Sequence, residues 1–201
     1  MKQADCISFC SVDCINHEYA VKSEIVAKEL GENTIHVKVA INSTNFLDSH
    51  GDVHIPKLWN KSIKDNNVRP LIQEHVLKFD NIISENAIAS VKKMQFKQLG
   101  IDLEGYSGVL IFETDINKED NERMFDRYKK GKVKQHSVGM QYVTLHLCIN
   151  SDDKYYYEEK EKWNKYIDSV ANKDLAIEKG YFWAVTEAKI IEGSAVVLGS
   201  N

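Results

Sequence analysis

The sequence predicts a mostly β protein with peripheral helices and a closed, barrel-like sheet at its core. Several segments alternate between apolar and polar residues, and glycines or turn-forming residues separate them. In residues 34–43, for example, Ile35, Val37, Val39 and Ile41 alternate with more polar neighbours, a pattern typical of a half-buried strand. A chain with many such strands and few helices favours closure of the sheet into a barrel.

The same signals assign the other elements in chain order. The expected strands are 34–43, 68–75, 82–96, 101–114, 133–147 and one or two within 181–198, and the expected helices are 21–30, 57–65 and 117–130. Pro56 suits the first turn of a helix. Pro70, which has no backbone N–H, disfavours a central sheet position for its strand.

The predicted domain organisation is an N-terminal extension over 1–33 followed by one domain over 34–201. Within that domain, residues 151–179 are rich in Lys, Glu, Asp and Tyr. This polarity predicts a solvated, partly helical insertion. A length of 201 residues is enough for one domain to bury a core without disulfides or metal.

Composition and charge exclude several classes of partner. Hydrophobic residues make up 43% and charged residues 28%, with a formal net charge of −4. Nucleic acid and anionic membranes both favour a basic face, so neither is an expected partner. No apolar run approaches the roughly 20 residues that span a bilayer. Residues 1–20 lack the apolar region of a secretory signal, so the expected compartment is cytosolic.

The N-terminal extension contains three cysteines at a spacing of four, Cys6, Cys10 and Cys14, followed by His17. Structural zinc sites usually pair cysteines two to four residues apart and need a second pair. That pair is absent here, so no metal is expected. A small β-rich binding domain with zinc at this N-terminus remains as one alternative function.

One serine and one histidine are candidates for nucleophilic catalysis. A serine hydroxyl becomes a nucleophile when a neighbouring base removes its proton, and histidine suits that task. Ser137 is followed by Val138 and Gly139, and a glycine inside a strand marks a close approach of other groups. His75 ends an apolar strand. The alternatives are a polar strand residue beside a bulge and a strand-end histidine with backbone hydrogen bonds.

The third member of such a site is an acid that orients the imidazole. Glu187 and Glu192 both lie in the last apolar segment of the chain, where a carboxylate needs a partner. The alternative is an ion pair with a lysine. His136 adjoins Ser137, but neighbouring strand residues point to opposite faces, so His136 is not expected to be the base.

Four motifs in this order resemble the prohead protease family of tailed bacteriophages, whose fold is related to the herpesvirus assemblins. Residues 48–56 look like the family's Asp-x-x-Gly-Asp segment, and His75 looks like its catalytic histidine. Residues 136–140 resemble its Ser-Val-Gly-aromatic motif, and 191–197 resemble its Glu-Val-Ser strand. The resemblance covers 34–147 and 181–198. The order of the motifs is more specific than any one of them.

This sequence departs from the family pattern at several positions. Met140 stands where an aromatic residue is common, and His136 beside the nucleophile is unexpected. The usual ending with proline and Ala-Asn is replaced by Leu198-Gly199-Ser200-Asn201. These departures leave the third catalytic residue open between Glu192, which matches the motif, and Glu187.

The resemblance implies a serine endopeptidase with a barrel-like core of the assemblin type. Its site would contain Ser137 as nucleophile, His75 as general base, Glu192 (or Glu187) as the acid, and Val138 and Gly139 in the oxyanion region. The implied substrates are the scaffold or delta segment of the major capsid protein and the protease itself, inside the assembling prohead in the host cytoplasm. No cofactor is required, and a homodimer remains open.

A different class of function is a catalytically silent capsid scaffold or assembly protein with the same fold. Residues 151–179 would then form a capsid-binding arm. The presence of both Ser137 and His75 favours the protease over this alternative.

Overall fold

The structure is a computed structural model, and it describes residues 7–11 and 29–197. The strands are β1 (Ile7–Ser11), β2 (Glu29–Gly31), β3 (Thr34–Ser43), β4 (Asp52–His54), β5 (Val68–Gln73), β6 (Ile82–Gln95), β7 (Tyr106–Asn117), β8 (Gln135–Ile149) and β9 (Tyr181–Val196). The helices are α1 (Asn60–Asp65), α2 (Glu122–Lys129), α3 (Tyr157–Tyr166) and α4 (Lys173–Lys179). The prediction of a mostly β chain with a few helices is confirmed.

These strands form one mixed sheet in the order β1-β8-β9-β5-β6-β7-β3-β2, with β4 also paired to β9. The pairs β5–β9 and β4–β9 are parallel, and the others are antiparallel. The expected barrel is not seen as a closed ladder, because no hydrogen-bonded pairing joins the two ends of this path within the described residues. The sheet nevertheless curves enough that β3 lies alongside β8.

The main core is formed by side chains from β3, β5, β6, β7, β8 and β9. From Thr34 to Ile41 every second side chain of β3 is buried, which confirms the alternation predicted from the sequence, and Asn42 and Ser43 at its end are buried as well. Helix α2 places Met124, Phe125 and Tyr128 against the same core. The largest fully buried side chains include Trp59, Phe112 and Phe125.

Two predicted elements differ from the observed ones. The strand that contains Pro70 is central, because β5 lies between β9 and β6. Its register with β6 shifts between Arg69 and Leu71, so the missing N–H of proline falls at a bulge, where no ladder hydrogen bond is lost. In the expected helix 21–30, residues 29 and 30 belong to β2, and 21–28 lie outside the described residues.

The insertion 151–179 is helical as expected, but it is not only a solvated arm. Trp163 and Tyr166 of α3 and Ala176 of α4 are buried in a second apolar cluster with Phe182 of β9. A charged sequence can hide such a face when its few apolar residues recur at helical spacing. In the ranges 7–11 and 29–197, no helix is long and apolar enough to cross a membrane.

A buried arginine joins three elements beneath the bulge of β5. The Arg69 side chain donates from Nε to Ile190 O at 2.9 Å and from Nη2 to Ser62 O and Oγ at 3.2 Å. Ser62 Oγ in turn accepts from Ile190 N at 2.9 Å. Burial lowers the pKa of Arg69. These bonds tie β5 to α1 and to β9, the strand on which the candidate site is built.

Replacing this arginine tests the connection. Arg69→Met keeps most of the side-chain volume but removes the guanidinium donor from Ile190 O, Ser62 O and Ser62 Oγ. The free energy of unfolding is expected to fall by about 3 kcal/mol. Urea unfolding followed by circular dichroism measures this, with Arg123→Met on the exposed face of α2 as the control. Equal values for the two variants would contradict the role of Arg69.

Candidate active site

The site is built on the antiparallel ladder between β8 and β9. Ser137 pairs with Ser194, and Gly139 pairs with Glu192. Residues directly opposite in a ladder share a face, and so do residues two apart in a strand. These four residues therefore lie on one face of the sheet. Val138 and Gly193, which pair between them, point into the core.

His75 reaches this face from the other side of β9. Strand β5 runs parallel to β9, with Ile72 opposite Ser194, and the chain turns back directly after it. Glu74 and His75 both have left-handed backbone conformations, with φ of 55° and 58°. Such residues cost of order 1–3 kcal/mol each. Hydrogen bonds from Glu74 N to Ala195 O (2.9 Å) and from His75 N to Ser194 Oγ (3.0 Å) hold the turn.

The turn brings the imidazole onto the carboxylate of Glu192. His75 Nδ1 lies 2.6 Å from Glu192 Oε1, and Ser194 Oγ donates to Glu192 Oε2 at 2.7 Å. An ionised carboxylate only accepts hydrogen bonds, so Nδ1 carries the hydrogen in this pair. In the neutral ring Nε2 then holds the lone pair, which is the tautomer that a general base requires.

Two glycines make room for this arrangement. A Cβ placed on Gly139 would lie 2.0 Å from Glu192 Oε1, so only glycine allows the carboxylate to lie across β8. A Cβ on Gly193 would meet the Phe112 ring in the core at 2.7 Å. The glycine two residues after Ser137 was expected to mark a close approach, and the approaching group is the carboxylate of Glu192.

Ser137 is one strand away from the His75–Glu192 pair. Its Cβ and that of Ser194 are about 4.5–5.5 Å apart by the geometry of opposed residues. Ser137 is 2% exposed and Glu192 is also 2% exposed. On its other edge, β8 pairs with β1, with Ser11 opposite Ser137. The N–H groups of Val138 and Gly139, the expected oxyanion region, therefore each face a neighbouring strand.

Two other predicted candidates lie outside this cluster. Glu187 pairs with Thr144 further along the ladder, and it acts with Asp65, the larger influence, to raise the pKa of Lys61. His136 points to the opposite face from Ser137, where its Nε2 lies 2.7 Å from the Tyr128 hydroxyl. Burial lowers the pKa of His136 to about 4, as expected for a neutral core histidine.

Residues 48–56 form a separate polar network around β4. Asp48 Oδ1 accepts from Asp52 N at 2.9 Å, and the Tyr142 hydroxyl donates to Asp52 Oδ2 at 2.9 Å. His54 Nδ1 lies 3.0 Å from Asn42 Oδ1. Burial lowers the pKa of His54 and raises that of Asp48. Tyr142 is opposite Ala188, so this network stabilises the sheet away from His75.

The side chains of the zinc hypothesis are not among those that the structure describes. Cys6, Cys14 and His17 lie outside the described residues, and Cys10 is placed only as a backbone position in β1. Within residues 7–11 and 29–197, no group of three or more His, Cys, Asp or Glu side chains is arranged to hold a metal ion.

Sequence reasoning did not select Ser194, which contacts two groups of the site. Its hydroxyl donates to Glu192 and accepts from the backbone N–H of His75. A signal was present, since a serine two residues after an acid in a strand lies on the same face. What was not visible in the sequence is that β5 is the neighbour of β9.

Comparisons of this chain with protein-family models, with curated proteins and with solved structures find no match.

The close approach of Gly139 and Glu192 can be measured with a double-mutant cycle. Gly139→Ala is expected to lower the free energy of unfolding by about 3 kcal/mol, because the methyl group displaces a buried carboxylate. When Glu192 is already replaced by alanine, the methyl group of Gly139→Ala displaces no carboxylate. The free energy of unfolding then falls by less than about 1 kcal/mol. Urea denaturation of the four proteins gives the coupling. Additive effects would contradict the contact.

The burial of His136 predicts a pH dependence of stability. Its pKa in the folded state, about 4, is below the value of about 6.5 for an exposed histidine. The unfolded chain therefore binds more protons as the pH falls below 6.5, and stability is lost. Between pH 6.5 and pH 5 the contribution is about 1.5 kcal/mol. Urea unfolding across this range should show a smaller loss for His136→Gln than for the unchanged chain, and equal losses would contradict it.

Proposed function

We propose that the chain is a serine endopeptidase in which Ser137 is the nucleophile, His75 the general base and Glu192 the residue that orients the imidazole. The observation that carries the proposal is the 2.6 Å contact between His75 Nδ1 and Glu192 Oε1, on the same face of the sheet as Ser137. If Ser137 and His75 had only structural roles, neither would require the buried Glu192 carboxylate on the same face.

The chemistry follows from that arrangement. Ser137 Oγ forms a bond to the scissile carbonyl carbon while His75 Nε2 takes the hydroxyl proton. The C–N bond then breaks, and the imidazole gives that proton to the leaving amine. Water then attacks the acyl-enzyme through the same proton transfers, and the new carboxyl end of the peptide leaves while Ser137 regains its proton. Glu192 stabilises the imidazolium that forms in each half-reaction, and Ser194 holds both the carboxylate and the backbone of His75.

The wider proposal is a protease of the phage prohead type, with a barrel-like core related to the assemblins. The path of β8, β9, β5, β6, β7 and β3, with β3 alongside β8, supports a sheet close to a barrel in shape. The proposed substrates are the scaffold or delta segment of a major capsid protein and the chain itself, inside an assembling prohead. A homodimer is compatible with this proposal.

One observation favours a second candidate, the catalytically silent capsid scaffold or assembly protein. Ser137 is 2% exposed, and β1 pairs with β8 at this position. A peptide carbonyl must reach Ser137 Oγ for acylation to occur, so a protease has to open this side of the site. A scaffold has no such requirement.

The test combines covalent labelling with cleavage. A fluorophosphonate is expected to label the unchanged chain at Ser137, and the chain is expected to cut peptides from a denatured bacterial proteome. Ser137→Ala abolishes both, whereas His75→Gln and Glu192→Gln lower kcat/KM by about 10³–10⁴-fold. Mass spectrometry reads both outcomes, and Ser90→Ala on β6 is the control.

The outcomes separate the two candidates. If the unchanged chain and Ser90→Ala are labelled and cleave peptides while the site variants lose these activities, the endopeptidase is supported. Absence of both activities in the unchanged, folded chain would contradict it. Binding of an uncut capsid protein by that chain would then favour the scaffold.

A further inference from the structure

A small apolar cavity adjoins the candidate site on the hairpin that carries His75. Its volume is about 180 Å³. The lining residues come from β5, from the start of β6 and from the loop between them, namely Pro70, Ile72, Leu77, Lys78, Phe79 and Ile82. Apart from the Lys78 amine, these side chains offer only carbon atoms to an occupant.

The cavity lies on the same face of the sheet as the catalytic candidates. Ser137 pairs with Ser194, Ser194 with Ile72, and Ile72 with Ile82. These four residues form one row across four adjacent strands. Leu71 and its partner Gly193 point into the core, which leaves Ile72 on the face of Ser194. This row therefore joins Ser137 to Ile72 and Ile82, two of the residues that line the cavity.

The spacing of strands sets the distance between Ser137 and this floor. Neighbouring strands lie about 4.8 Å apart, so Ile72 is roughly 10 Å and Ile82 roughly 14 Å from Ser137. An extended peptide advances about 3.3 Å per residue. A side chain roughly three residues from the scissile bond can therefore reach the cavity while the carbonyl lies at Ser137.

The size and the walls of the cavity favour a single apolar side chain as the occupant. Small-molecule sites usually measure about 300–1,000 Å³, which is larger than this cavity. Leu77 is 67% exposed and Phe79 is 89% exposed, so the hairpin presents two large apolar side chains to solvent immediately after the proposed base. Clustered exposed apolar residues of this kind mark binding surfaces.

We propose that this cavity is a specificity subsite that binds a large apolar side chain, such as that of Leu, Ile, Met or Phe, of the peptide substrate. The proposal rests on the proposed endopeptidase function and deepens it, because it assigns the substrate class. The hairpin then has two tasks, since it positions the base through His75 and selects the substrate through Leu77 and Phe79.

The test measures residue preferences around the cut bonds in a peptide library from a denatured bacterial proteome. In the unchanged chain, Leu, Ile, Met and Phe should be enriched about fivefold or more at one position, roughly two to four residues from the cut. In the double variant Leu77→Ser/Phe79→Ser this enrichment should disappear. For a peptide with Leu at that position kcat/KM should fall about 10–100-fold, and for its Ala counterpart less than about threefold.

Controls separate this inference from folding and from the proposed function. Both replaced residues are exposed, so the melting temperature should stay within a few degrees, and Tyr155→Ser, which removes an exposed aromatic outside the hairpin, should keep the preference. A labelled, cleaving chain without the preference, or a double variant that retains it, overturns the subsite and leaves the endopeptidase intact.

Two further outcomes also overturn the subsite. Loss of cleavage on every peptide together with a change from dimer to monomer in light scattering would assign Leu77 and Phe79 to self-association. Absence of both fluorophosphonate labelling and cleavage in the unchanged chain would overturn the endopeptidase, and the subsite with it.

Discussion

The burial of the Glu192 carboxylate is the constraint on which the rest of the site depends. A carboxylate that is 2% exposed loses most of its hydration and needs hydrogen-bond donors in its place. Its two oxygens find them in His75 Nδ1 and Ser194 Oγ. Gly139 supplies the space that the carboxylate occupies. Each of these features is explained by the need to accommodate one charge within a sheet.

The same constraint explains the strained turn after β5. Two consecutive left-handed residues are costly for Glu and His, and tight hairpin turns that need them usually contain Asn-Gly or Asp-Gly. Here the backbone N–H groups of Glu74 and His75 are anchored on Ala195 and Ser194, and the imidazole gains the carboxylate. The turn is therefore held on strand β9, and a rigid element places the imidazole, as the proposed role of His75 as a base would require.

Other buried polar side chains stabilise the fold and lie outside the candidate site. His136 contacts Tyr128 beneath the sheet, and Asp52, Tyr142 and His54 form a network around β4. These groups are paired within the core and lie away from the face of Ser137. Burial and a perturbed pKa alone would have selected His136 or His54 as functional residues. The proposed base is instead His75, the histidine that contacts an acid on the face of Ser137.

Much of the fold could be predicted because its signals are local. The alternation in β3, the glycine inside β8 and the apolar run of β9 identify strands through the two-residue period of their side chains. The central position of β5 could not be predicted, because a bulge at Pro70 removes the usual objection to proline. The buried face of α3 was also missed, since its few apolar residues lie among many charges.

For the site, the sequence by itself determined which residue types were available: a serine followed by Val-Gly, a strand-end histidine and two acids before Gly193. Only the tertiary structure shows that Glu192 contacts His75 and that Ser194 contacts both of them. These contacts depend on which strand lies beside β9 and in what register. That information comes from pairing between distant residues, since Ser137 and Ser194 are 57 positions apart and Ile72 and Ser194 are 122 apart, and no local period can encode it.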